Sequence, residues 1–144
     1  MNISKKERAR LAEMYQKAVY EVRPRDREEP IVLRAGAMHP RLDALLTRNE
    51  HWMFMTAYEP MGQPQAPEIN KRAQQGLWKE VKTAGKTVWH ALGYDPRPGF
   101  NWKEPSLFVF PVSRTEALAW ARKFNQLAIL YGAPGQPADL LFTQ

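Results

Sequence analysis

The chain has 144 residues, of which 44% are hydrophobic and 11% aromatic, enough apolar material for the core of one domain. It has no cysteine, which excludes disulfides, thiolate zinc sites and cysteine nucleophiles, and no apolar run near the roughly 20 residues that span a bilayer. A net charge of +6, from 21 basic and 15 acidic side chains, favours anionic partners at long range, yet the two signs are interspersed, as in Lys5-Lys6-Glu7-Arg8, where a dedicated nucleic-acid arm would show an unbroken basic block.

Met1 to Arg10 is charged and lacks the apolar centre of a signal peptide, so a soluble, cytoplasmic protein with no membrane association is expected. The organisation predicted is a single domain over 1–144, with an N-terminal helix at 1–18, a core at 19–133 and a C-terminal tail at 134–144. Ser4 and Glu7 have the spacing of a capping box, and Leu11, Met14, Tyr15, Ala18 and Val19 recur on one face of a helix from about Lys5 to Ala18. Tyr20 to Val22 and Ile31 to Leu33 predict two strands joined by a charged, mobile loop from Arg23 to Pro30. After Gly36 and Pro40, the residues Leu42, Leu45 and Leu46 mark a short second helix ending near Asn49.

Trp52 to Tyr58 reads as a central strand buried on both faces. A Pro- and Gly-rich loop, Glu59 to Pro67, leads to a third helix carrying Ile69, Ala73, Leu77 and Val81 and stopped by Gly85. Thr87 to Tyr94 predicts a strand, Asp95 to Pro105 a long loop, and Leu107 to Val112 another strand. Ser113 and Glu116 form a second capping box for a helix with Ala117, Leu118, Ala121 and Phe124, followed by a strand at Leu127 to Tyr131. From Trp52 onward this order is βαββαβ, so the expected fold is α+β: a mixed sheet with a ferredoxin-like split βαβ core, extended by the N-terminal helix and strands.

A strand-helix-strand unit in one sheet brings the chain back in the same direction, so Ala35, Tyr58 and Tyr94 are expected at one rim. Loops Gly36 to Pro40, Glu59 to Pro67 and Asp95 to Pro105 would frame it. Thr56, Tyr58, Glu59, Glu68, Asn70, Arg72, Trp102, Glu104, Ser106 and Gln126 are the candidate ligand-binding residues there, with Asp95 beside them. Glu68 and Asn70 also fit helix caps, Thr56 a satisfied core hydroxyl, Asp95 a turn starter, and Trp102 either a stacking platform or a lid over the core. The start of the third helix would point its free amides and positive dipole end at the rim, which suits an anion.

The strings Thr56-Ala57-Tyr58-Glu59-Pro60, then Glu68, Asn70 and Arg72, Asp95-Pro96, Trp102-Lys103-Glu104-Pro105-Ser106 and Phe124-Asn125-Gln126-Leu127-Ala128 resemble the bacterial domain of unknown function DUF3293, over about Tyr20 to Tyr131. Members typically show Thr-Ala-Trp-Asn-Pro, a Glu-Asn pair with a nearby Arg, a Trp-x-Glu-Glu-Ser-like segment and Phe-Gly-Gln-Asn-Ala. Here Tyr58-Glu59 replaces Trp-Asn, Ile69 separates Glu68 from Asn70, Asn125 replaces Gly and Leu127 replaces Asn. The resemblance implies fold boundaries and a choice of residues, and brings no activity with it.

His39, His51 and His90 lack metal-ligand spacing, so no metal site is expected and each histidine is assigned to packing or surface; no cofactor is implied. Phosphate-loop, dinucleotide and hydrolase-elbow motifs are absent. A carboxylate pair with separated pKa values among Glu59, Glu68, Asp95 and Glu104 would require one of them to be buried. Three readings are compatible with these features. They are a protein or enzyme holding a small polar or anionic molecule at the rim, a nucleic-acid-binding module, and a protein-interaction module using Met53, Met55, Met61 or the N-terminal helix.

Overall fold

The computed structural model describes residues 3–25 and 29–144. Ser4 caps helix α1 (Lys5–Lys17) by accepting from the Glu7 amide at 3.1 Å, while the Glu7 carboxylate turns to Arg10 instead of back to the cap. Strands β1 (Val19–Arg23) and β2 (Ile31–Leu33) form the predicted hairpin. Its charged connection, predicted as mobile, includes residues 26–28, which lie outside the described residues. Helix α2 (Pro40–Asp43) is shorter than predicted, because the Leu45 and Leu46 amides bond only three residues back, to Leu42 and Asp43, and tighten the chain out of the α geometry.

There follow β3 (Trp52–Met55), α3 (Pro67–Thr83), β4 (Thr87–Tyr94), β5 (Lys103–Phe110), α4 (Arg114–Lys123), β6 (Ala128–Gly132) and β7 (Asp139–Phe142). Both halves of the Ser113/Glu116 capping box are present at α4. The last strand lies in the segment predicted as a tail: Asp-Leu-Leu-Phe is too short to signal a strand by itself, and it is held because β6 offers it a ladder.

Among the described residues seven strands form one sheet, in the order β2-β1-β4-β5-β3-β6-β7. The mixed sheet expected from the sequence is corrected to a fully antiparallel one. Strands β3 and β4 do run the same way, but β5 is inserted between them, so every hydrogen-bonded neighbour is antiparallel. The sheet curls until its two margins meet: the Gly36 amide donates to the Ala138 carbonyl at 2.7 Å and the Ala138 amide to the Ala37 carbonyl at 2.9 Å. Those contacts take the loop from Gly36 to Pro40 away from the rim it was expected to frame.

Alternation along the strands sorts side chains between the two faces. Tyr20, Val22, Trp52, Phe54, Phe108, Phe110 and Leu130 fill the inner, concave face. Met53, Met55, Leu107, Val109 and Ile129 lie on the outer face with Leu77 and Val81 of α3 and Ala117 and Ala121 of α4. A third cluster seats Leu11 and Met14 of α1 against Met61 and Leu127. Met53, Met55 and Met61 are therefore core residues, which removes them as an interaction surface. Ile69 is also off the buried face, 51% exposed, because a four-residue repeat drifts by about 40° per step around a helix of 3.6 residues per turn; Asn70, Leu77 and Val81 are the buried residues. Among the described residues no helix is long and apolar enough to cross a membrane.

Gly132 sits where an added Cβ would overlap the Trp52 ring. Gly132→Ala is expected to lower stability by about 1–3 kcal/mol through overpacking, read as a lower urea midpoint with an unchanged slope.

Candidate functional site

The site grows from a mismatch of strand lengths. Strand β5 begins at Lys103, four residues earlier than the sequence predicts, whereas β3 beside it ends at Met55, opposite Leu107. Pro105 therefore lies in a strand with β4 on one side and no strand on the other. A proline has no amide hydrogen to leave unpaired there, and its carbonyl is met by side chains, accepting from Thr56 Oγ1 at 2.8 Å and Gln74 Nε2 at 3.2 Å. Gln74 Oε1 accepts from the Ala57 amide at 2.7 Å and Thr56 Oγ1 from the Tyr58 amide at 3.0 Å. Thr56 and Gln74 thus replace the missing end of β3.

The loop that leaves β3 is tied down just as fully. Asn70 Oδ1 accepts from the Glu59 amide at 3.0 Å and from Gln65 Nε2 at 2.7 Å, and Glu59 Oε2 accepts from the Gln65 amide at 2.7 Å. Gln126 Nε2 donates to the Tyr58 carbonyl at 3.1 Å, and the Met61 amide donates to the Asn125 carbonyl at 2.7 Å. Glu59, Met61 and Asn125 all have left-handed backbones, with φ of 46°, 55° and 54°. Asparagine and glycine adopt that geometry most readily, which accounts for the residue types the family resemblance expects at 59 and 125. The N-cap of α3 is Ala66, without a side-chain bond, so Asn70 ties the loop and is not a cap.

Because β5 starts early, its alternation carries Glu104 and Ser106 onto the inner face in series with Phe108 and Phe110. The two polar residues are 6% and 4% exposed. They wall a cavity of about 30 Å³ together with Tyr15, Tyr20, Thr56 and Gln126, room for about two waters. Outside it lies a groove of about 290 Å³ walled by Arg10, Tyr58, Glu59, Asn101, Trp102 and Lys103. Tyr15, Trp102 and Glu104 belong to both walls. The Trp102 ring packs on Tyr15 with centroids 5.9 Å apart and over Gly93, where a Cβ would come within 3.1 Å of it. A half-buried indole at the mouth, against α1, fits the lid reading of Trp102.

Burial pushes the Glu104 carboxyl up to about 8, the nearby Glu59 adds to the rise, and a hydrogen bond from Trp102 opposes it. Asp95 behaves in the opposite sense. Its buried carboxylate is held below the usual range chiefly by hydrogen bonds from the Arg97 side chain, at 2.6 and 2.9 Å, and Arg97 reaches on to Glu13 of α1 at 3.0 Å. Asp95 is thus the anchor that ties the 95–102 loop to α1.

The structure brings Thr56, Tyr58, Glu59, Trp102, Glu104, Ser106 and Gln126 to one rim. It leaves Glu68 and Arg72 exposed on α3, lining neither the cavity nor the groove, and Asn70 buried beneath the loop. Sequence reasoning missed Arg10, Tyr15, Tyr20 and Gln74. In the sequence Tyr15 reads as part of an apolar helix stripe and Tyr20 as part of a strand alternation, and nothing in the local pattern marks Gln74. Among the described residues no group of three or more His, Asp or Glu side chains is arranged to hold a metal ion.

A family model described as a protein of unknown function, DUF3293, matches residues 55–129, a little over half of the chain; the match encloses the quoted strings and is narrower than the span from Tyr20 to Tyr131 expected from the resemblance. No curated protein and no solved structure matches.

Two predictions separate support from site. Asn70→Ala leaves two loop donors without their acceptor and is expected to cost about 1–3 kcal/mol in denaturant unfolding, whereas Glu68→Ala and Arg72→Ala should stay within about 0.5 kcal/mol of the parent. Glu104 has a folded pKa raised from 4.5 to about 8, so it contributes nothing below 4.5 and destabilises increasingly as pH rises from 4.5 to about 8. Glu104→Gln should therefore gain on the parent by up to about 1.4 kcal/mol per pH unit in that window and remain more stable above it, read from unfolding curves at several pH values.

Proposed function

The chain belongs to the DUF3293 family, whose description names no activity, and we propose that it binds a small polar molecule at the rim of its sheet, in the inner cavity and the groove outside it. The observation that carries this reading is the position of Glu104: a carboxyl buried on an inner face made mostly of apolar side chains, at the point where the cavity meets the groove. Burying an ionisable group in this way costs stability, and ligand recognition supplies a reason for it. The surrounding network of Thr56, Gln74, Asn70 and Gln126 supports the same reading, because it fixes the loop without occupying the Glu104 carboxyl. Arg72 lies on the outer surface, and in the groove Glu59 faces Arg10 and Lys103, so the preference for a neutral or positively charged group over the anion expected from the sequence comes from the inner cavity, where Glu104 is the acidic side chain of the wall. The order β4-β5-β3-β6, with α3 and α4 as crossovers, supports a ferredoxin-like split βαβ core within one domain.

A second reading draws on the outer face of β2, β1 and β4. There Val32 and Phe100 are 48% and 49% exposed beside a shallow groove of about 490 Å³ that includes Leu92, Tyr94, Arg23 and Lys103. Aromatics and bases on an open sheet suit single-stranded nucleic acid. The pairing of Arg23 with Glu21 and of Arg97 with Asp95 cancels part of the attractive field.

Thermal unfolding against amino acids, amines, sugars, nucleotides and short oligonucleotides tests both readings. One small-molecule class should raise Tm, with about 2.7 kcal/mol gained at 100 times its Kd, and Ser106→Val, which places methyls at the cavity wall, should abolish the shift. A shift produced only by oligonucleotides and lost steeply with salt would replace the first reading by the second.

A further inference from the structure

We propose that the group seated in the inner cavity is a primary ammonium, so that the ligand is a small organic cation; this rests on the rim being a binding site and names the chemistry it takes. Among the described residues seven polar side chains line the cavity: four of them have their donors engaged within the protein as follows, Trp102 hydrogen-bonds to Glu104, and Tyr15 completes the set. The Tyr20 hydroxyl donates to the Tyr15 carbonyl at 2.7 Å and the Thr56 hydroxyl to the Pro105 carbonyl at 2.8 Å. The Ser106 hydroxyl donates to the Glu104 carbonyl at 3.1 Å, and the Gln126 amide nitrogen to the Tyr58 and Phe124 carbonyls at 3.1 and 3.3 Å. What remains to such groups is acceptor capacity: hydroxyl lone pairs, an amide oxygen and, at Glu104, a carboxylate when ionised.

The acceptors of Thr56, Ser106, Gln126 and ionised Glu104 are complementary to a group rich in donors. Among the described residues no lysine or arginine lines the cavity. An ammonium carries three donors and no acceptor, and its size matches a cavity of about 30 Å³. The organic remainder would lie in the outer groove, where Tyr15 and Trp102 offer aromatic faces beside the mouth.

Binding of this kind displaces a proton. Among the described residues the titratable and charged groups around Glu104 are Tyr58 and Glu59 from the segment after β3, Arg10 and Tyr15 from α1, Tyr20 from β1, and Lys103 from its own strand. Burial keeps the carboxyl protonated near neutrality, and an arriving ammonium would stabilise the carboxylate, so one proton leaves as one cation enters.

The full chain titrated calorimetrically with n-butylammonium, n-butanol and butyrate, in buffers of different ionisation enthalpy, tests this. Butylammonium should bind in preference to the other two by tenfold or more, release close to one proton per ligand at a pH of about 6.5, and gain roughly tenfold in affinity per pH unit until about pH 8. Glu104→Gln should lose at least tenfold in affinity and all proton release; the pH dependence of the unaltered protein tests the same proton exchange independently of that variant's folding. Ammonium binding without proton release, or unaffected by Glu104→Gln, overturns the proposal. If butanol or butyrate binds as well as butylammonium and Ser106→Val removes that binding, the rim remains a site and only the cation is wrong. If none of the three binds and no small molecule shifts Tm, both the proposal and the reading beneath it fall.

Discussion

The local architecture depends on one constraint: β5 has eight residues where its neighbour β3 has four. A strand inside a sheet needs partners for the polar groups on both of its sides, and where β3 stops those of β5 must find others. Pro105 meets the need beyond the end of β3, having no amide hydrogen and offering a carbonyl to Thr56 and Gln74. Once two side chains replace a strand, β5 continues to the rim, and its alternation continues with it. The same regularity that places Phe108 and Phe110 in the core carries Ser106 and Glu104 inward. The polar pocket is therefore an extension of the hydrophobic core by two further pleats, with the residue types changed.

The support around that pocket and the pocket itself are chemically distinct. Thr56, Gln74, Asn70 and Gln126 use their hydrogen bonds on backbone, chiefly that of the loop between 57 and 65, and their job is to hold the left-handed Glu59 and Met61 in a loop that would otherwise relax. Glu104 has the opposite character: it is buried, its proton is retained near neutrality, and the groups nearest it include a second carboxylate. Asp95 shows what a purely structural buried carboxylate looks like in the same protein. It has an arginine gripping both oxygens and its pKa is held low. The contrast between these two acids separates an anchor from a candidate for ligand contact more sharply than burial alone.

Much of the fold was legible because its signals are local. Ser4 and Ser113 mark helix starts, the Tyr20 and Val22 alternation marks a strand, and Trp52 to Met55 has the continuous apolar character of a central one. What was not legible was set by partners distant in sequence. Nothing near Asp139 to Phe142 says that β6 will accept another strand, and nothing near Ala35 says that the following loop will bond to Ala138. The rim residues were gathered correctly where strand direction decided their place, as for Thr56, Glu104 and Gln126. Arg72 and Glu68 were misplaced because rotation around α3, not direction along it, decides which side chains face inward. Tyr15 and Tyr20 were overlooked for a further reason: a tyrosine in an apolar stripe looks the same whether its ring fills a core or walls a polar cavity.

The seam between Gly36 and Ala138 has a consequence for the protein's behaviour at high concentration. An open sheet presents two unpaired margins, each able to recruit a strand from another molecule. Here the marginal strands are only three and four residues long, and the chain flanking one is bonded to the chain flanking the other. Self-recruitment along the backbone thus has little length of ladder to work with. The curl that shapes a concave interior also shields the protein from fibrillar growth, and a lesion that opened the seam would be felt first as a loss of colloidal stability.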